Sequence, residues 1–282
     1  MKNFEKNIIS IYGENGKLWI AKLPELVHQF EILWGLTHLK PITNLSYNYV
    51  LIGFQNELSI VLKISLDSKG LEREANALEI FKGFGAVSVL RKQKNALLLQ
   101  QAIPGCSLKG STFKNGKKNI EIACSTAQKL HKAPFPSKAD FPHIMDWLAT
   151  LDKDWGIPME HLLRARKLKR QLSSNFTGSS VLLHGDLHQD NILSHGNEWL
   201  VIDPKGVIGH PINELWACVE EPSHDLRYIS EYFGYPFDNV IKWYYVHLIL
   251  AACWQAEDNL DPSLFLKLAN EVLPLVNLYY YP

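Results

Sequence analysis

An apolar run, Val181-Leu182-Leu183, delivers His184-Gly185-Asp186 into a polar segment that also carries Asn191, five residues after Asp186. Asp203 follows twelve residues after Asn191, at the end of a second apolar run from Trp199 to Ile202. A carboxylate held on a loop can orient a hydroxyl group and accept its proton. An amide oxygen together with a second carboxylate supplies the hard oxygen donors that Mg²⁺ prefers. Far upstream, Lys63 lies in the apolar run Val61-Leu62-Lys63-Ile64, and Glu74 follows eleven residues later in Leu71-Glu72-Arg73-Glu74-Ala75. An ammonium group there can hold phosphate oxygens, with a carboxylate to hold it in turn. Glu72 competes for that carboxylate role, and the placement of Glu74 before the apolar Leu78 and Phe81 favours Glu74.

Each of these residues alone has a plainer explanation. An Asp and an Asn in one loop more often make a turn or a helix cap. A lysine in an apolar strand is usually at an edge with its ammonium reaching water, and a helical Glu is usually solvated. Together they have the order and spacing of the kinase catalytic loop, H-R-D-L-x-x-x-N, followed by the metal-binding Asp of D-F-G. Transfer of a phosphoryl group asks little covalent chemistry of the protein: a positioned nucleophile, a cation between the phosphates and a lysine to hold them. ATP and Mg²⁺ are the expected ligands.

The elements that would position these groups can be read from periodicity. Trp19, Leu23, Leu26, Val27, Phe30, Leu33 and Trp34 form one helical stripe ending near Gly35. Tyr47 to Phe54 and Leu58 to Leu66 flank Gln55-Asn56-Glu57 as an antiparallel hairpin, which puts Lys63 on its second strand. Leu71 to Phe81 returns to helical spacing, and Val87 to Arg91 with Ala96 to Gln101 form another strand pair. At Ile103-Pro104-Gly105 the pattern breaks as a hinge. Helices are expected over 119–132, 143–152, 160–176, 212–219, 237–257 and 262–278, interrupted by a β island over 181–202. The fold class is α+β: a small β-rich lobe over 1–102 and a large helical lobe over 103–282 that carries the catalytic loop and the substrate site.

With 282 residues, 46% hydrophobic and 21% charged, the chain is long enough to bury a substantial core. Lys+Arg 29 against Asp+Glu 29 gives no basic excess for a nucleic-acid partner. Four scattered cysteines without a C-x-x-C pair give no zinc or redox motif and fit a reducing, cytoplasmic setting. The start of the sequence lacks a signal-peptide h-region. The most apolar stretch, Trp243 to Trp254, is 12 residues with a histidine inside, too short to span a bilayer. A small-molecule substrate is the expected partner.

The segment from His184 to Leu193 resembles the signature of the aminoglycoside phosphotransferase family, whose fold is protein-kinase-like. Leu97 to Gly105 resembles that family's lobe connector. Trp19 to Pro24, Trp34-Gly35-Leu36, Val201 to Gly206 and Ala251 to Glu257 are similar to the streptomycin 6-phosphotransferase and hydroxyurea-resistance kinase branch. The resemblance implies that Asp186 is the catalytic base, that Asn191 and Asp203 hold Mg²⁺, and that Lys63 with Glu74 positions the ATP phosphates. It implies that the backbone around Gln100, Gln101 and Ala102 meets the adenine edge, and that the loop Thr43 to Asn48, including Ser46, faces the phosphates. The implied reaction is phosphorylation of a hydroxyl on a streptomycin-like aminoglycoside, an antibiotic-resistance activity. A kinase of another amino sugar, amino alcohol or sugar is the alternative, and a non-catalytic nucleotide-binding module ranks below both. Three departures stand out. The nucleotide loop has no glycine, Gly185 replaces the Arg of H-R-D, and Pro204-Lys205 replaces the Phe-Gly of D-F-G.

Other signals carry less. His184 and His188 sit four apart, but Gly185 breaks the helix that a zinc pair needs, so His184 is expected to bond the loop backbone. The basic run Arg164 to Arg170 reads as a solvated helix face. Glu220, Glu221, Asp225, Glu257 and Asp258 are candidates for holding a cationic substrate by charge, against the plainer reading of surface turns and helix ends.

Overall fold

The structure, a computed structural model, describes residues 2–110, 117–137, 141–174 and 178–278. Helix α1 (Lys2–Trp34) begins well before the expected Trp19. Its first segment buries only Phe4 and Ile8 completely and leaves Ile11 exposed, too short a stripe to stand out from the sequence. Gly13, at φ 55° and ψ −130°, breaks the helix and folds that segment back. Close return is possible because a Cβ at Gly16 would lie 2.7 Å from the Ile8 carbonyl oxygen.

Five antiparallel strands follow: β1 (Leu36–Pro41), β2 (Tyr49–Gln55) and β3 (Leu58–Ile64), then, after helix α2 (Ser68–Ile80), β4 (Val89–Gln93) and β5 (Ala96–Gln100). Their spatial order is β1-β2-β3-β5-β4. The β2–β3 hairpin is as expected from its sequence. Strand β1 was not expected. It is an edge strand, mostly exposed and bulged, so it lacks the alternation that marks a half-buried strand. Alternation along β3 splits the sheet into two faces. Ile60, Leu62 and Ile64 pack with Leu51, Leu98 and the Trp19, Leu23 and Phe30 side of α1. On the other face, Leu97 and Leu99 join Leu71 and Leu78 of α2 in a core that runs without interruption through the rest of the molecule.

Beyond Gln100 the chain forms β6 (Pro104–Ser107), α3 (Lys117–Leu130), α4 (Ile144–Leu148), α5 (Met159–Ser174), β7 (Val181–Leu183), β8 (Ile192–His195), β9 (Glu198–Val201), β10 (Val207–Gly209), α6 (Pro222–Phe233), α7 (Phe237–Glu257) and α8 (Ser263–Leu278). The expected end of α5 at Phe176 lies outside the described residues. Strands β6, β8 and β9 make one small sheet, and β7 pairs with β10. Val87 N–H donates to the Val201 carbonyl at 3.1 Å, tying the segment that leads into β4 to β9. Helix α7, fully buried from Tyr244 through Leu250, is the central pillar. No helix among the described residues is long and apolar enough to cross a membrane.

Two expectations fail in the second half. The segment 212–219 is not a helix but a pair of short 3₁₀ turns, Pro211–Asn213 and Trp216–Cys218. The helix lies further on, as α6, where Glu220-Glu221-Pro222 reads as a surface turn by composition. Pro222 instead sits in the first turn, where its missing N–H costs nothing. The basic run on α5 is not simply a solvated face. The Lys169 ammonium is buried and bonds both oxygens of Asp152 at 2.7 Å and the Leu148 carbonyl at 3.3 Å. The Arg166 guanidinium donates to the carbonyls of Leu151 and Lys153.

Candidate active site

Strand β3 presents Lys63 on the face opposite α1, and α2 crosses that face with Glu74 inward and Glu72 exposed. The Lys63 ammonium bonds the two Glu74 oxygens at 2.9 and 2.7 Å. The same ammonium donates to Asp203 Oδ1 at 2.8 Å, across 140 residues of sequence. Burial alone would discharge this lysine, but Asp203 and Glu74 together raise its pKa. Burial also works against the Asp203 charge, and Lys63 outweighs it, holding that carboxyl below the ordinary range. Glu74 differs: two carboxylates share one ammonium, and burial raises its pKa to about 7 despite the pairing with Lys63.

Asp203 occupies the left-handed region at φ 59°, a conformation uncommon for a non-glycine residue and better tolerated by Asp than by most. Its side chain keeps 39% exposure, so one oxygen is fixed by Lys63 and the other is left open. Asn191 donates its Nδ2 to the Asp186 carbonyl at 2.9 Å, which leaves the amide oxygen as its free acceptor. Asn191 Oδ1 and the Asp203 carboxylate are thus hard oxygen donors of the kind that suits Mg²⁺. Asp186 itself is half-buried, with Lys205 Nζ 3.8 Å from its carboxylate.

The loop that carries Asp186 is held from behind. His184 Nε2 donates to the Ile202 carbonyl at 2.8 Å, while Nδ1 accepts from Asp186 N–H. Burial lowers the pKa of this ring, which keeps it neutral. The Lys205 and Gly206 amides donate to the His184 carbonyl at 2.8 and 3.1 Å. Glu214, which sequence reasoning passed over, accepts the amides of His184 and Gly185 at 2.8 and 3.1 Å and faces His131 Nε2 at 3.3 Å. Burial opposes its charge, yet His131 and the His184 amide bring its carboxyl below the usual range. Gly185, at φ 83°, has no room for the arginine of the H-R-D pattern: a Cβ there would lie 2.9 Å from Trp147. His188 caps the short turn Gln189–Asn191 through Nδ1.

In the segment that leaves β5, Gln100 N–H donates to Ser88 O at 2.9 Å, and Gln101 N–H to Ser59 O at 3.3 Å. The buried Ala102 follows. Val61 is two residues from Lys63, and Val50 and Ile52 pair with Lys63 and Val61, so all three share the lysine's face. Ile52 is 37% exposed there, an apolar roof for a planar ring. Counting by twos from Lys63 would have revealed it. Ser46 is exposed in the loop 42–48 that joins β1 to β2, and its carbonyl accepts from Asn7 Nδ2 at 3.3 Å.

The five acidic substrate candidates are not brought together. Glu257 and Asp258, where α7 ends, line a cleft of about 690 Å³ that also reaches Glu74 and Lys205. Glu220, Glu221 and Asp225 do not line it. Asp225 is buried, and its Oδ2 accepts the amides of both Glu220 and Glu221 at 2.9 Å while Oδ1 meets His224 Nδ1. Its charge stabilises the start of α6.

The model of the aminoglycoside/hydroxyurea antibiotic resistance kinase family matches residues 40–230. The streptomycin 6-kinase of Streptomyces glaucescens is 24% identical over 287 residues, covering 89% of this chain and 90% of that protein. The streptomycin 3''-kinase of Klebsiella pneumoniae is 28% identical over 182 residues, covering 62% and 66% respectively. Among solved structures, a thermostable mutant of aminoglycoside phosphotransferase APH(4)-Ia in ternary complex with AMP-PNP and hygromycin B superposes with a TM-score of 0.70 at 11% identity, over 90% of this chain and 97% of that one. The choline kinase LicA of Streptococcus pneumoniae superposes with a TM-score of 0.66 at 11% identity, over 89% and 98%. At such identities these structures establish the fold, a protein-kinase-like one.

Proposed function

The chain belongs to the aminoglycoside/hydroxyurea antibiotic resistance kinase family, and from that premise we propose that it transfers the γ-phosphoryl group of ATP to a hydroxyl of a streptomycin-like aminoglycoside. Residues 1–102 serve as the nucleotide lobe and 103–282 as the acceptor lobe, acting in the cytoplasm. The observation that carries this reading is the Lys63 ammonium joined to Glu74 and Asp203 at 2.7 to 2.9 Å, beside the loop of Asp186 and Asn191. Residues from distant stretches converge where a triphosphate would lie, with its base beneath Val50, Ile52 and Val61 and against Gln100, Gln101 and Ala102.

Asp186 receives the hydroxyl proton as the oxygen bonds to phosphorus, and ADP leaves. Asn191 and Asp203 are the residues that would hold Mg²⁺, which when bound neutralises phosphate charge. Lys63 holds phosphate oxygens while Glu74 keeps it in place, and the backbone near Ser46 covers the phosphates. Glu257 and Asp258 offer charge to a cationic acceptor. Glu220, Glu221 and Asp225 stay outside that role, because they flank the start of α6. ADP release measured over a panel of hydroxylated acceptors tests the reading. Mg²⁺-dependent turnover of streptomycin is expected; turnover confined to a choline-like alcohol or a neutral sugar would overturn it.

A further inference from the structure

The cleft beyond Lys205 has a wall that the phosphoryl-transfer groups do not use. The break at Gly13 folds the start of α1 so that Phe4 and Ile8 are sealed in the core while Asn7, Ser10 and Tyr12 face the cleft. The bond from Asn7 Nδ2 to the Ser46 carbonyl, 3.3 Å, fixes this segment to the loop between β1 and β2. Across the cleft stand Glu257, Asp258, Asn259 and Leu260, in the turn from α7 to α8. The volume, about 690 Å³, suits a ligand of drug size.

Its position identifies which ligand. Asp186, Asn191 and Asp203 do not line it, but Lys205 does, with its ammonium 3.8 Å from the Asp186 carboxylate, and Gln100, Gln101 and Ala102 are absent from its lining. In-line transfer brings the acceptor to phosphorus from the side opposite the leaving oxygen, away from the base. This is therefore the acceptor's side. Part of the lining, within 7–12 and 257–260, falls outside the 40–230 matched by the family model, whereas Asp67, Arg73 and Lys205 of the lining, like Lys63, Glu74, Asp186, Asn191 and Asp203, fall inside it.

We propose that the first segment of α1 is a specificity wall of the acceptor site, on which Ser10 and Tyr12 hydrogen-bond the hydroxyl and ammonium or guanidinium groups of the acceptor while Glu257 and Asp258 meet its charge from across the cleft. The proposal rests on the aminoglycoside reading above. Ser10 is exposed, so Ser10→Trp fills the cleft without disturbing the core. The steady-state KM for streptomycin is expected to rise at least tenfold in Ser10→Trp and severalfold in Tyr12→Phe, with KM for ATP and kcat within twofold of the parent. Leu18→Trp, at a position 61% exposed and outside the cleft lining, should change none of these. Unchanged acceptor KM in both cleft variants, or a parallel rise in KM for ATP, would sink the proposal. If a different hydroxylated compound is turned over in place of streptomycin, the aminoglycoside reading falls, and the same variants measured with that compound decide the wall. A parent protein that turns over no acceptor removes both.

Discussion

The buried carboxylate of Glu214 accepts the backbone N–H of Gly185 at 3.1 Å, one residue before Asp186. The neighbouring amide of His184 is held by the same group. A charged acceptor from another part of the chain thus sets the path of the loop that carries the proposed base. A carboxylate can take both amides at once, and an amide side chain has a single oxygen for them. Glu214→Gln should therefore fold, lower kcat by about tenfold or more, and leave KM for ATP near that of the parent. Glu214→Ala, which strands two buried amides, should lose on the order of 3 kcal/mol of stability. A Glu214→Gln enzyme with parental kcat would show that the loop does not depend on this contact.

Asp186→Asn should cut turnover by about 10²–10⁴-fold, the usual range for loss of a general base, while Mg·ATP still binds. Asp203→Ala should instead weaken Mg·ATP binding itself. Calorimetric titration with a non-hydrolysable ATP analogue in the presence of Mg²⁺ separates the two. Equal affinities in both variants would contradict the division of roles.

Removing the ammonium should be worse than removing its carboxylate partner. Lys63→Met leaves Glu74 buried without a counter-charge, a loss on the order of 3 kcal/mol, and also deprives phosphate of its ligand. Glu74→Gln keeps a hydrogen-bond acceptor for Lys63 and should chiefly raise KM for ATP. Chemical denaturation and steady-state kinetics on both variants test the ranking, and a more stable Lys63→Met than Glu74→Gln would reverse it.

Two buried groups should give stability slopes of opposite sign. Glu74 is raised by burial to about 7 in the folded protein, so its protonated form favours folding. That contribution is complete below about pH 4.5 and disappears as pH rises through about 7, a swing on the order of 3 kcal/mol. His247 is lowered to about 3 by burial, with Asn213 Oδ1 2.8 Å from Nε2. Its contribution is present above about pH 6.5 and is lost as pH falls toward 3. Denaturation curves for the parent, Glu74→Gln and His247→Gln between pH 4 and 8 isolate each slope by difference. A pH-independent difference between parent and Glu74→Gln would refute the first, and the same result for His247→Gln the second.

The sequence revealed the proposed site more fully than the shell around it. Lys63, Glu74, Asp186, Asn191 and Asp203 belong to short motifs on periodic elements, and such motifs survive because each sits beside an apolar strand or helix. Glu214 left no such trace, because its partners are backbone amides thirty residues away, and backbone carries no signature in a sequence. The apolar roof of Val50, Ile52 and Val61 was present in the alternation but overshadowed by the lysine. Helix α6 was obscured by Glu220-Glu221-Pro222, where a helix start has the composition of a turn. The early part of α1 buries one short stripe, Phe4 and Ile8, and leaves Ile11 exposed, so the apolar residues there do not mark a single buried face. Arg166 and Lys169 show the reverse error: charge density says nothing about whether a long side chain turns back to a carbonyl or a carboxylate.

The apolar core beneath α2 does not stop where the five-stranded sheet ends. Leu97 and Leu99 from the sheet and Leu78 from the helix share it with Ile192, Val201 and Tyr245. Severing the polypeptide near Ile103 would leave each fragment with a bare oily face. The intact protein should accordingly melt in a single calorimetric transition, with no surviving half to report on.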